Sequence, residues 1–315
     1  MSRASAPSSV TVEARAKINL GLAVGPLRGD GFHELATLFQ SVSLADTLTV
    51  SRRRHGFSLR VRFESAAARD GMPRVSRRHV PAGAGNLVLR AARLLAGRSR
   101  LGGGARFELV KRIPARAGLG GGSADAAAAI AGLAKVYGLV LSRTERLSLA
   151  CELGSDVAFA IIGGTALGLG RGDMLTSLRL AKPFRALLAI PNWGISTTAA
   201  FRAIERRRNH LTVWRANLRS AQLLGRERLR ADRAMRLGNS FESVLGGRSK
   251  EFDALVNRLE DAGASSIRMT GSGSAVVALL PDGCAGADVV RRFQGTEALY
   301  LVRSMGRGLK LIGRS

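Results

Sequence analysis

Lys111-Arg-Ile-Pro-Ala-Arg-Ala-Gly-Leu-Gly-Gly-Gly-Ser-Ala-Asp-Ala-Ala-Ala-Ala-Ile130 is the stretch on which the fold turns. It opens as the end of an apolar strand carrying Phe107, Leu109 and Ile113, and it stops at Pro114. It then passes through Gly118, Gly120, Gly121 and Gly122 into an alanine-rich run that reads as a helix. A strand, a glycine loop and a helix in succession aim free backbone N–H groups and the positive end of the helix dipole at one spot, which is an anion site suited to phosphate. The glycines permit positive φ angles and close approach of a polyphosphate that a Cβ would obstruct. Ser123 is expected to cap the helix or to reach an oxygen or a metal, and Asp125, placed in the first turn, suits the dipole. A flexible glycine turn that merely caps a structural helix is the weaker reading, since glycine costs stability where the backbone does not need it. Two common phosphate loops are excluded by spelling. The chain has no Gly-Lys dipeptide, and Ser123 stands where a dinucleotide fold needs its third glycine.

Outward from this loop, short strands are expected at 10–13, 18–24, 32–42 and 47–50, with a turn at Gly29-Asp-Gly31. Residues 52–85 are irregular apart from a brief strand at 59–63 and read as a surface insertion. Asn86 opens a helix with Leu87, Leu94 and Leu95 helically spaced. Beyond the loop helix at 123–137 comes a second helix at 144–152. Asp156 then stands alone in an apolar stretch, where a buried carboxylate needs a partner. Strands at 165–169 and within 178–190 lead to the turn Pro191-Asn-Trp-Gly194, where a second domain begins. Helices at 196–206, 213–224 and 250–262 follow, the last with Phe252, Leu255, Val256 and Leu259 on one face. A strand at 266–270, the turn Gly271-Ser-Gly273, a strand at 275–280, a helix at 285–293 and a strand at 298–302 complete an α+β sandwich. At 315 residues two cores are expected: a flexible tail 1–10, domains 11–180 and 181–305, and a tail 306–315.

Hydrophobic residues make up 46% of the chain and aromatics only 5%, so the core is aliphatic and alanine-rich. Cys151 and Cys284 provide no disulfide framework, which suggests a reducing compartment. With no apolar signal segment and no membrane-length run, a cytoplasmic monomer or homodimer without a membrane partner is expected. The formal charge of +26 invites a nucleic-acid reading. Only six of the 49 basic residues are lysine, however, and the arginines are spread through every region beside abundant alanine and glycine. Compositional bias explains them, and no specific nucleic-acid partner is expected, although the excess draws in anionic ligands.

The four histidines, His33, His55, His79 and His210, lack zinc spacing, and no Gly-x-Ser-x-Gly elbow is present. Lys17, in Ala14-Arg-Ala-Lys-Ile-Asn-Leu-Gly-Leu22, and Asp156 remain. Lys17 reads either as a solvated strand lysine or as a cation that neutralises a transferred phosphoryl group. Asp156 reads either as a helix-cap aspartate or as the acceptor of a hydroxyl proton.

Three segments together resemble the GHMP kinase superfamily: Ala16-Lys-Ile-Asn-Leu20, the glycine loop from Pro114 to Ala127, and Met269-Thr-Gly-Ser-Gly-Ser274. More narrowly, Arg28-Gly-Asp-Gly-Phe-His-Glu-Leu35, Thr37-Leu-Phe-Gln40, Asn86-Leu and Leu153-Gly-Ser-Asp-Val157 are similar to the branch that phosphorylates a cytidyl diphosphate alcohol with ATP in isoprenoid precursor synthesis. The resemblance runs from about residue 12 to 302. It implies the GHMP kinase fold, an α+β architecture with a ribosomal-protein S5 domain 2-like N-terminal domain and a ferredoxin-like C-terminal domain, with both substrates in the cleft between.

By matched positions, Lys17 and Asp156 fall on the catalytic pair. Gly118, Leu119, Gly120, Gly121, Gly122 and Ser123, preceded by Pro114, fall on the ATP phosphate loop, with Asn86 and Lys111 on its flank. Asn19, Phe32, His33, Asp156, Thr197 and Phe201 fall on positions that hold the small-molecule cytidyl diphosphate substrate. Rings at 32 and 201 are expected to sandwich cytosine while His33 bonds its edge. Mg²⁺ is implied with the ATP, and Ser123 is its candidate ligand. The departures are Phe32 for the usual tyrosine, Ala124 for a second serine, Ser155 and Ala158 for the alanine and proline around Asp156, and Ser240 for a common aspartate. A homoserine or mevalonate-type kinase shares the glycine loop and is the nearest rival. A basic RNA-binding protein with an S5-like domain is the rival from another class.

Overall fold

The computed structural model of the chain describes residues 6–64, 80–81, 83–99, 101–207, 210–226 and 228–314. Much of the expected insertion, His79 and the first half of the expected N-terminal tail lie outside the described residues.

β1 (Ser9–Leu27) and β2 (His33–Arg53) form a long antiparallel hairpin. The sequence suggested four short strands here, because Arg15, Lys17 and Asn19 interrupt the apolar run. The chain nevertheless stays extended. Register shifts fall between Arg15 and Lys17 and between Asn19 and Gly21, and such bulges re-aim side chains without ending a strand. They also divide the partners of β2. Its C-terminal half pairs with β4 (Gly104–Lys111), which runs parallel to β3 (Phe57–Phe63). Its N-terminal half pairs with β5 (Thr165–Leu169), and β5 pairs with β6 (Met174–Leu178).

Four helices cover one face of this sheet: α1 (Leu87–Arg98), α2 (Gly121–Val136), α3 (Arg143–Leu153) and α4 (Ser155–Ile162). Ser142 and Glu145 form a capping box that starts α3. Val10, Leu48, Val50, Phe107 and Leu109 of the sheet pack with the buried alanines, Ile130 and Leu133 of α2.

The second domain contains β7 (Arg185–Ile190), α5 (Thr197–Glu205), α6 (His210–Leu224), α7 (Ala231–Met235), α8 (Ser249–Asp261), β8 (Ser265–Met269), β9 (Val276–Leu279), α9 (Gly286–Arg292) and β10 (Ala298–Arg303). Its antiparallel sheet has the order β10-β7-β9-β8, the fourth, first, third and second strands of a ferredoxin-like layer, as expected. Phe252, Leu255 and Leu259 of α8 are buried against this sheet. A shared cluster joins the two sheets, with Ile18, Leu20 and Leu119 packed among Leu188, Val277 and Tyr300.

The expected C-terminal tail at 306–315 is a correction. β11 (Leu309–Arg314) pairs antiparallel with β1 and returns the chain to the first sheet. The physical reason is the open row of donors and acceptors along the edge of β1, which an added strand satisfies.

Candidate active site

The bulges in β1 bring Lys17 and Asn19 to the junction of the two domains. The backbone N–H of Lys17 donates to the Leu119 carbonyl at 3.0 Å, and that of Ala275 donates to the Ala117 carbonyl at 3.1 Å. The glycine loop is thus stitched to β1 on one side and to the 270–274 turn on the other. Gly118, with φ of +80°, lies so close to that turn that a Cβ would come within 2.4 Å of the Thr270 carbonyl oxygen. Gly120, with φ of +67°, has the opposite neighbour: a Cβ there would lie 2.9 Å from Lys17 Cγ and 3.6 Å from Asp156 Oδ2. Only glycine meets both the backbone and the space requirement at these two positions.

Lys17 is buried. Its Nζ donates to Asn19 Oδ1 at 2.8 Å and stands 3.5 Å from Asp156 Oδ2. Asp156 sits in the first turn of α4, where the helix dipole favours a negative charge. Its side chain is 36% exposed, so the carboxylate is open to solvent while the ammonium beside it is not. Asn19 is fully engaged. Its Oδ1 also accepts from the Gly271 N–H at 2.9 Å, and its Nδ2 donates to Thr37 Oγ1 at 2.7 Å.

Beside this pair lies a cleft of about 380 Å³ lined by Asn86, Leu87, Lys111, Pro114, Arg116, residues 118–123 and Asp125, among others. α2 begins two residues earlier than expected. Gly120, in the left-handed region, is its N-cap, and Ser123 is the third helical residue. Ser123 therefore does not cap the helix, and its side chain faces the cleft lining. The earlier start also corrects Asp125, which falls past the first turn and is buried rather than serving the dipole. Asn86 caps α1: its Oδ1 accepts from the Val88 N–H at 2.9 Å and its Nδ2 donates to the Pro81 carbonyl at 2.6 Å.

Lys111, expected on the flank of the nucleotide, is buried between two carboxylates. Its Nζ bonds Asp46 and lies 2.7 Å from Asp125 Oδ2. Asp46 also accepts from the backbone N–H groups of Arg112 and Ile113 at 2.5 and 2.9 Å. Burial works against the charged Lys111, but Asp125 and Asp46 outweigh it and hold the ammonium above its ordinary pKa. Burial drives the Asp125 carboxyl well above the usual range, against the pull of Lys111 and with Asp46 pushing the same way. Asp46 carried no signal in the sequence.

The remaining expected residues gather around the β1–β2 turn and α5. His33 is buried, with Nδ1 2.9 Å from the Gly25 carbonyl and Nε2 2.8 Å from Glu205 Oε1. Its ring stacks on Phe201 at 5.0 Å, and Phe201 meets Phe241 edge-on at 4.9 Å. Of the two rings expected to sandwich cytosine, Phe201 is covered by His33, while Phe32 is 54% exposed under the Arg171 guanidinium, 4.7 Å from its ring. Successive residues at a strand start point to opposite sides, which sends His33 inward and Phe32 outward. Thr197 Oγ1 lies 2.7 Å from Ser272 Oγ and ties α5 to the 271–273 turn.

Among the described residues no helix is long and apolar enough to cross a membrane, and no three His, Cys, Asp or Glu side chains form a metal cluster.

Two family models match the chain: GHMP kinases N terminal domain over residues 86–164 and GHMP kinases C terminal over 217–296. A 4-diphosphocytidyl-2-C-methyl-D-erythritol kinase from Moorella thermoacetica is 39% identical over 91% of this chain and 95% of its own length. One from Nocardia farcinica is 37% identical over 95% and 94%. A crystal structure of 4-(cytidine 5'-diphospho)-2C-methyl-D-erythritol kinase superposes with a TM-score of 0.70 at 30% identity, covering 94% of this chain and 99% of that one. Homoserine kinase from Cytophaga hutchinsonii superposes with a TM-score of 0.69 at 20% identity and speaks for the fold alone.

Proposed function

We propose that this chain, which belongs to the 4-diphosphocytidyl-2-C-methyl-D-erythritol kinase family of GHMP kinases, uses ATP to phosphorylate the 2-hydroxyl of that cytidyl alcohol in isoprenoid precursor synthesis. The observation that carries the reading is the meeting of Lys17 and Asp156 at Gly120, where the phosphate loop touches the ion pair. The half-open Asp156 carboxylate accepts the hydroxyl proton as the oxygen bonds the γ-phosphorus and the bond from that phosphorus to the β-bridging oxygen breaks, releasing ADP. The Lys17 ammonium, held in place by Asn19, offsets charge on the phosphoryl group in transit. Main-chain N–H groups at the start of α2 grip the β- and γ-phosphates.

The donor set also fits Mg²⁺, which takes few protein ligands beside phosphate oxygens and water. Ser123 lines the cleft and would be its protein ligand, and the ion would neutralise charge on the β- and γ-oxygens. His33, Phe201, Phe32 and Thr197 form the cytidyl end of the site, with Asn19 as a positioning residue rather than a direct contact. Two free cysteines support a reducing, cytoplasmic setting, and the reading calls for a monomer or homodimer and no nucleic-acid partner.

The test is ADP release from ATP in the presence of the cytidyl alcohol, homoserine or mevalonate, each supplied separately. Turnover with the cytidyl alcohol alone is expected. Turnover only with homoserine or mevalonate would overturn the substrate, and binding of RNA without turnover would overturn the class.

A further inference from the structure

A triphosphate is a polyanion, yet the cations around the glycine loop are already committed. Lys111 is met by two buried carboxylates, Asp46 and Asp125, so it offers the cleft no surplus positive charge. Lys17 faces Asp156 and Asn19. Arg116 differs from both. It lines the same cleft, it is exposed, and its guanidinium pairs with none of the described residues.

Its backbone is also unusual. Arg116 has φ of +57°, a left-handed conformation that residues with a Cβ rarely adopt and that glycine takes freely. Strained positions of this kind persist where the surroundings fix them, and they gather at ligand sites. Here the surroundings are Pro114 on one side and, on the other, Ala117, whose carbonyl is bonded to Ala275. The loop therefore holds an arginine where glycine would fit with less strain, at the mouth of an anion site.

We propose that Arg116 supplies the guanidinium that pairs with the phosphates of the bound nucleotide. This rests on the cleft being the ATP site, and it deepens that reading by assigning the electrostatic share of nucleotide affinity to Arg116 and not to Lys111. A guanidinium presents a planar fork of donors matched to phosphate oxygens, and such charge-assisted bonds are among the stronger ones.

The test is calorimetric titration of the full-length protein with ATP, ADP and adenosine, using wild type, Arg116→Gly and Arg116→Lys. Glycine relieves the backbone, so Arg116→Gly should melt no earlier than wild type. Its affinity for ATP and ADP should fall about tenfold or more, the effect of losing hydrogen bonds to a charged group, while adenosine binding stays unchanged. Arg116→Lys should recover part of the loss, and rising salt should weaken ATP binding to wild type more than to Arg116→Gly. Unchanged ATP affinity in Arg116→Gly would overturn the proposal. So would an equal loss for all three ligands, which would mean contact with the nucleoside or a collapsed cleft. Because the readout is binding, wild type that grips ATP without phosphorylating the cytidyl alcohol would sink the proposed substrate and leave the Arg116 result standing.

Discussion

Two buried lysines stand on either side of the glycine loop, and they are held in opposite ways. Lys17 leans on one half-exposed carboxylate, Asp156, and on the amide of Asn19. Lys111 is closed in by Asp46 and Asp125, both buried, and a Cβ on Gly121 would lie 3.2 Å from its Nζ. The first pair leaves its carboxylate partly exposed to solvent. The second joins β2, β4 and α2 at one point and fixes where α2 begins. Burial and charge are common to both, so neither marks a catalytic lysine. The exposure of the partner carboxylate is what separates the two, and under the proposed function it marks Lys17 as the one that takes part in chemistry.

The sharpest way to break this contrast is to remove each cation. Lys111→Met leaves two buried carboxylates facing each other without a counter-charge, and the loss should be about 3–5 kcal/mol, seen as an earlier urea midpoint. A midpoint equal to wild type would mean that the clamp holds nothing.

On the other side, Asp156→Asn should lower kcat by at least about 10²-fold, the low end for a general base. Asn keeps a side-chain oxygen beside Lys17 and the Lys17 bond to Asn19 remains, so the stability loss should be smaller than that of Lys111→Met, and its ATP affinity should be retained. Lys17→Ala should also depress kcat, and an effect confined to KM would reduce Lys17 to a binding group.

A smaller effect comes from Glu242, a half-buried carboxylate with no clamp of this kind. Its carboxylate accepts from the Met269 N–H at 2.7 Å, and burial raises its pKa to about 6 against the pull of that bond and of Arg268. A raised folded-state value means that its stabilising share is fully present below the unfolded value near about 4.3 and is lost as pH rises through 6. Glu242→Gln removes that dependence. Its stability relative to wild type should therefore climb by about 2 kcal/mol between pH 4.5 and 7.5, and a constant difference across that range would count against the shift.

The same contrast explains what could be read from residue order. The glycine loop, the Asn86 cap and α2 are local features, signalled by residues a few positions apart. Lys17 and Asp156 were visible because a lone charge in an apolar run is conspicuous. The Lys111 clamp was not, because Asp46 stands 65 residues away with nothing to mark it, and Asp125, 14 residues on, reads as a helix-dipole aspartate. The length of β1 was hidden by the polar residues at its bulges. The stacking of His33 on Phe201 joins β2 to α5 across 168 positions, so only the folded chain brings it about.

The return of β11 to β1 has a bearing on synthesis. A ribosome releases the first domain's residues long before residue 309 emerges, yet the outer edge of that domain's sheet is completed by β11. Until then β1 carries an uncovered row of amides and carbonyls that a neighbouring nascent chain can pair with. The enzyme cannot finish one domain and then the other. The chain comes back on itself, with β11 laid against β1.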